Sequence, residues 1–115
     1  MTRAERGQQL WSLLALAATS RQVLTYDMVA RLMGVVRPSI GDFLRPIQQY
    51  CTENELPPLT ALVVSEQTGL PGEGFIAAAD VPSAQMRVFQ HRWLDNIAPT
   101  AEQLEAAYSR APGKR

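Results

Sequence analysis

The chain has 115 residues with 11 basic and 11 acidic side chains, so its formal net charge is zero, and 46% of it is apolar. Length alone predicts one domain of roughly 100–150 residues, read as residues 1–110 with a disordered tail over 111–115. Balanced charge excludes the global field that drives non-specific nucleic-acid binding, while a single cysteine, Cys51, and a single histidine, His91, exclude an internal disulfide, a cysteine metal cluster and a His-rich metal site.

At the N-terminus the stretch LWSLLALAA is apolar but short, well under the roughly 20 residues that cross a bilayer. It lies behind Arg3, Glu5 and Arg6 and has no cleavage site after it. A cytosolic chain without a signal peptide is expected. From Ala4 to Ser20, Leu10, Leu13, Leu14 and Ala17 recur at helical spacing and predict an amphipathic helix. Thr25 caps a second helix with Asp27 at its positive end, Val29, Leu32 and Met33 on one face, and Gly34 as its stop.

Pro38 suits the first turn of a third helix, where Ile40, Phe43, Leu44, Ile47 and Cys51 form one buried stripe. Pro46 breaks that rhythm, because an internal proline removes a backbone bond at a cost of about 3 kcal/mol. Either the helix kinks there or another begins. After Pro57 and Pro58, LTALVV is rich in β-branched residues and predicts a strand, SEQTGLPGEG supplies the turn, and FIAAA returns as the second strand of a hairpin. No Lys-Ser/Thr follows those glycines and they open no helix, so a nucleotide-binding loop is not indicated. Asp80 to Ser83 start a fourth helix with Met86, Phe89, Trp93 and Ile97 as its buried stripe, and Asp95 stands four residues after His91. Thr100 and Gln103 make a capping box for a fifth helix carrying Leu104, Ala107 and Tyr108. The fold class is therefore α+β and mostly α, with three N-terminal helices, a β-hairpin wing and two C-terminal helices. This is the layout of a winged helix-turn-helix.

The order LTYDMVARLMG, RPSIGDFL, LVVSEQTGLPG resembles the DNA-binding domain of the alkylguanine-DNA alkyltransferases and the catalytically inactive alkyltransferase-like proteins, over roughly Leu24 to Phe75. Those proteins open a helix with threonine or serine plus tyrosine, close it with alanine and glycine, and follow with a small-residue recognition helix, a Pro-Cys-His-Arg-Val-Val strand and a Gly-x-x-Gly loop. With Val63 and Val64 as the anchor, Thr60 falls at the acceptor cysteine, Ala61 at the histidine and Leu62 at the arginine. Alkyl transfer needs a thiolate activated by a neighbouring base, so the resemblance implies a scaffold without that chemistry. It also implies that Tyr26 handles the phosphate of a flipped nucleotide and that Arg37 matches the arginine that enters the base stack. The interval from Gly34 to Gly41 is shorter than the family's and that from Gly41 to Val63 is longer.

On these grounds we expect a non-enzymatic nucleic-acid-binding domain, with contacts from Tyr26, Arg37, Ser39, Arg45, Gln48 and Gln49 and with distorted or modified DNA as the specific target. Arginine and glutamine read guanine and adenine edges or bind phosphate, whereas Asp42 opposes phosphate. The arginine bias, with Lys114 the single lysine, also fits a GC-rich bacterial genome. No catalytic residue, metal or cofactor is expected. The alternative is a protein-interaction or immunity-type module that binds a partner protein through the hairpin and the terminal helices, which balanced charge and Asp42 favour. The helix AEQLEAAYSR either covers the sheet or packs at a homodimer interface.

Overall fold

Thr2 accepts a hydrogen bond from the Glu5 N–H while the Glu5 carboxylate takes the Thr2 N–H, and this reciprocal cap starts helix α1, Arg3–Thr19. The fold is that of a computed structural model that describes residues 1–72 and 80–111. After α1 come strand β1 (Leu24–Thr25), helix α2 (Tyr26–Met33), a 3₁₀ turn over Arg37–Ser39, helix α3 (Ile40–Glu53), a 3₁₀ turn over Leu59–Leu62 and strand β2 (Val63–Val64). Helix α4 (Val81–Gln90), a 3₁₀ turn over Trp93–Asp95 and helix α5 (Ala101–Ser109) complete the mostly helical chain. No helix among the described residues is long and apolar enough to cross a membrane.

Helices α1, α3 and α5 pack on one another and build the core. Leu10 and Leu14 of α1, Ile40, Ile47 and Cys51 of α3 and Leu104 of α5 are all buried. Thr100 and Gln103 cap α5 as the sequence predicts, and Leu104 and Ala107 face inward against α1 and α3 instead of covering a sheet. Arg6 of α1 donates to the Met33 carbonyl at 3.0 Å, which satisfies one of the orphan acceptors at the end of α2. Gly34 terminates α2 in the left-handed region, φ 71°, where a side chain is strained.

Several expectations need correction. Helix α3 runs through Pro46 without a second helix starting there, and the proline ring is buried in the core side of the helix. LTALVV is not a single strand: Pro58 leads Leu59–Leu62 into a 3₁₀ turn, with the Ala61 N–H on the Pro58 carbonyl at 2.9 Å. Only Val63 and Val64 remain extended, and the strand they pair with is Leu24–Thr25, in parallel. The return strand FIAAA and Glu73 of the wing tip lie outside the described residues, as does the tail from Pro112.

The stripes of the two short helices also shift. Ala30 joins Val29 and Met33 inside, and Leu32 is 59% exposed. In α4 the buried residues are Ala84 and Val88, while Met86 is exposed. The helix stops at His91, whose backbone is extended, so Ile97 never falls in its register and stands 98% exposed. Trp93 is buried all the same, because its indole N–H reaches the Val88 carbonyl at 2.8 Å. Asp95 pairs with Arg92 at 2.7 Å and not with His91, which packs against the Trp93 ring.

Burial separates two adjacent residues that periodicity had grouped together. Met33→Ala is expected to cost about 2–5 kcal/mol, the range for emptying a core methionine site, and Leu32→Ala less than about 0.5 kcal/mol. Urea denaturation of the two variants checks this.

Candidate functional site

The two-residue parallel ladder sets Leu24 opposite Val63 and Thr25 opposite Val64. Two residues further along each chain, Asp27 and Glu66 meet. Thr25 caps α2 by accepting the Met28 N–H at 3.1 Å, and Glu66 takes the next donor, the Asp27 N–H, at 2.7 Å. A carboxylate at the positive end of a helix is favourable there. The same Glu66 carboxylate accepts from Arg37 Nη2 at 3.0 Å, while Arg37 Nε lies 3.2 Å from Asp27. The guanidinium also sits 5.2 Å from the centre of the Tyr26 ring. The Asp27 N–H, then Glu66's own backbone N–H, and Arg37 besides hold the Glu66 carboxyl down to about 2.

Tyr26 is fixed from its other end as well. The Gly72 N–H donates to its hydroxyl at 3.2 Å, and a Cβ on residue 72 would sit 2.5 Å from that oxygen, so a larger residue there would push the Tyr26 hydroxyl aside. Tyr26 thereby forms a shared wall between two concavities. One is a cavity of about 140 Å³ lined by Tyr26, Gly41, Leu44, Arg45, Gln48 and Thr60, with Pro71 at its edge. Beside it runs a groove of about 530 Å³ that includes Arg37, Pro38, Ser65 and Thr68. Thr60 is only 4% exposed, and its Oγ1 has no hydrogen-bond partner among the described residues. A buried hydroxyl in that condition costs about 1–3 kcal/mol. Thr60 lines the cavity, but its Oγ1 is itself closed to solvent, so the unsatisfied hydroxyl belongs to the wall behind the cavity surface.

Four of the six expected contact residues, Tyr26, Arg37, Arg45 and Gln48, thus gather around this pair of concavities. Arg45 also lies 3.2 Å from Asp42. Ser39 and Gln49 do not join them. The Ser39 hydroxyl donates to the Val36 carbonyl at 2.7 Å and closes the 3₁₀ turn. Gln49 donates to Glu53, which also takes Arg110 through contacts as short as 2.7 Å, on the side of α3 that meets α5. Arg110 first, with Gln49, lowers the Glu53 carboxyl below its ordinary value. Reasoning from sequence overlooked Glu66 and Gly72 as contributors, since their place beside α2 follows from the ladder and from no local pattern.

Cys51 is buried at the back of α3, and burial pushes its thiol up to about 12. That is the opposite of an activated nucleophile. Among the described residues no three potential metal-ligating side chains stand together. Compared with protein-family models, with curated proteins and with solved structures, the chain gives no match.

The Glu66 carboxyl supplies a pH signature. Its folded value is depressed from 4.5 to about 2, so its contribution to stability is full above 4.5 and is lost as pH falls through about 2. Carbon-detected NMR of the Glu66 side chain is expected to give a midpoint near the lower value. Arg37→Ala should raise that midpoint but leave it below 4.5, because the Asp27 N–H is the larger cause.

Proposed function

We propose that the chain is a non-enzymatic nucleic-acid-binding domain of winged-helix type, in which α2 and the segment Arg37–Glu53 form the helix-turn-helix face. The observation that carries this reading is the sharing of Tyr26 between a small cavity and a larger groove. A cavity of about 140 Å³ is below the roughly 300–1,000 Å³ of ordinary small-molecule sites. It suits one ring, while the groove suits the chain that carries the ring. Extruding a base costs a few kcal/mol and least where pairing is already disturbed, so distorted or modified DNA is the target that fits. The Gln48 amide, on the cavity lining, would meet the edge of the base. Arg45 and Arg37 would meet the flanking phosphates.

The resemblance to alkyltransferase-like proteins supports the same reading, because Thr60 stands where the acceptor cysteine would be. The non-enzymatic part rests on Thr60, Ala61 and Leu62 and on the buried, hard-to-ionise Cys51. A second reading, a module that binds a partner protein near the terminal helices, is favoured by the exposed apolar side chains Met86, Leu94 and Ile97 around α4 and the turn after it.

Gel-shift titration distinguishes the two. A duplex with one unpaired base is expected to bind more tightly than its fully paired counterpart, and affinity is expected to fall with salt. Arg45→Ala should weaken binding and reduce the salt slope by about 1, the share of one phosphate contact. Absence of binding to any paired, unpaired or single-stranded oligonucleotide overturns the nucleic-acid reading and leaves the partner-protein one.

A further inference from the structure

Residues Ser65–Gly72 form a strap that is organised by its own backbone. Ser65 N–H donates to the Leu70 carbonyl at 2.8 Å, Gly69 N–H to the Ser65 carbonyl at 2.9 Å, and the Ser65 and Thr68 hydroxyls take the N–H groups of Gln67 and Leu70. The strap is tied to α2 at two points. Glu66 holds the Asp27 N–H and the Arg37 guanidinium at one, and the Gly72 N–H holds the Tyr26 hydroxyl at the other. Between the ties lie Thr68, which lines the groove, and Pro71, which lines both concavities.

The charge balance at the first tie is unusual for a nucleic-acid-binding surface. One cation, Arg37, faces two carboxylates, Asp27 and Glu66, so the cluster is net negative and would repel a phosphate. Yet the donors that Glu66 occupies, a helix N-terminal N–H beside a guanidinium, are the pair that a phosphate oxygen would use. The carboxylate therefore fills the place of the anion. Arg37 is about half exposed and Glu66 about a third exposed, and exposed pairs of this kind each shift an equilibrium by no more than about fivefold. A polyanion with further contacts can displace such a clasp.

We propose that Glu66 is an intramolecular competitor for phosphate: it clasps the Ser65–Gly72 strap onto α2 and keeps Arg37 occupied until a nucleic-acid phosphate takes over the Asp27 N–H and the guanidinium. This deepens the nucleic-acid reading and rests on it. Release of the clasp converts the cluster from net negative to neutral and frees the strap over the groove. Both changes favour the same ligand.

The test is a fluorescence-anisotropy titration of a labelled duplex containing one unpaired base with the wild type, Glu66→Gln and Glu53→Gln. The two variants change the net charge equally, and Glu53 belongs to the Arg110 cluster between α3 and α5. Glu66→Gln is expected to bind about three- to tenfold more tightly than wild type, with Glu53→Gln close to wild type. Glu66→Ala, which also removes the acceptor of the Asp27 N–H, should bind at least as tightly as Glu66→Gln. It should also show faster amide hydrogen exchange at Asp27 with an unchanged circular dichroism spectrum. Binding by the Glu66 variants alone would support the competitor in its strongest form. Equal gains in Glu66→Gln and Glu53→Gln, or no gain in either while the wild type binds, would overturn the competitor and leave the nucleic-acid reading standing. No binding by any of the proteins would overturn both.

Discussion

The parallel pairing of Leu24–Thr25 with Val63–Val64 is the constraint on which the site depends. Parallel neighbours cannot be joined by a tight turn and need a crossover of a dozen or more residues. Here the crossover contains α2, the Arg37–Ser39 turn, α3 and the Leu59–Leu62 turn. Every residue that lines the small cavity except Pro71 belongs to it. Two backbone pairs therefore decide where Tyr26 leaves β1, where Thr60 arrives before β2, and which residue meets the N-terminus of α2. A shift of register by one residue would put Ser65 or Gln67 where Glu66 stands, and neither could bridge Asp27 and Arg37 with a charge.

So short a ladder cannot hold that register by hydrogen bonds alone. The packing of α1, α3 and α5 holds it from outside, since Leu10, Leu14, Ile47 and Leu104 are fully buried and fix α3 in place. Val63 is buried in the same cluster, and Gln85 of α4 donates to the Ala61 carbonyl at 2.9 Å, which pins the turn that carries Thr60. The buried aromatic pair Trp11 and Trp93, in edge contact at 5.6 Å, closes the far side and adds specific geometry to the burial. The site is thus a surface feature whose precision comes from the interior.

What could be seen in the sequence follows the reach of each rule. Caps are local, so Thr25, Gly34 and the Thr100–Gln103 box were legible. The stripe through Ile40, Ile47 and Cys51 was legible because α3 is long enough for periodicity to select one face. In α2, Leu32 and Ala30 are equally compatible with a stripe through Val29 and Met33, and only the tertiary partner decides between them. Met86 and Ile97 failed because α4 ends at Gln90, where His91 turns extended with no glycine or proline to announce it. The strand partner of Val63 lies far upstream at Leu24, and β-branched composition predicts extension without predicting who pairs with whom. Glu66 was hidden for the same reason, since nothing local to it announces the Asp27 N–H and the Arg37 guanidinium that it accepts from.

Half of the ten arginines in this chain are paired with carboxylates among the described residues. Arg3, Arg37, Arg45, Arg92 and Arg110 all lie within 4.0 Å of a carboxylate, so the charge of each of these arginines is compensated locally, and at Arg37 more than compensated. A domain built this way gains little from long-range attraction, which needs an uncompensated field. On the proposed reading, affinity for nucleic acid comes at contact range, from the fit of a ring against Tyr26 and from exchanging internal carboxylates for phosphates. The first of those gains depends on the ligand's shape and the second on its charge. An ordinary duplex offers its phosphates but keeps its bases stacked, and so can collect only the second. On that reading the surface would discriminate by geometry, and the internal ion pairs that weaken general binding would sharpen the discrimination.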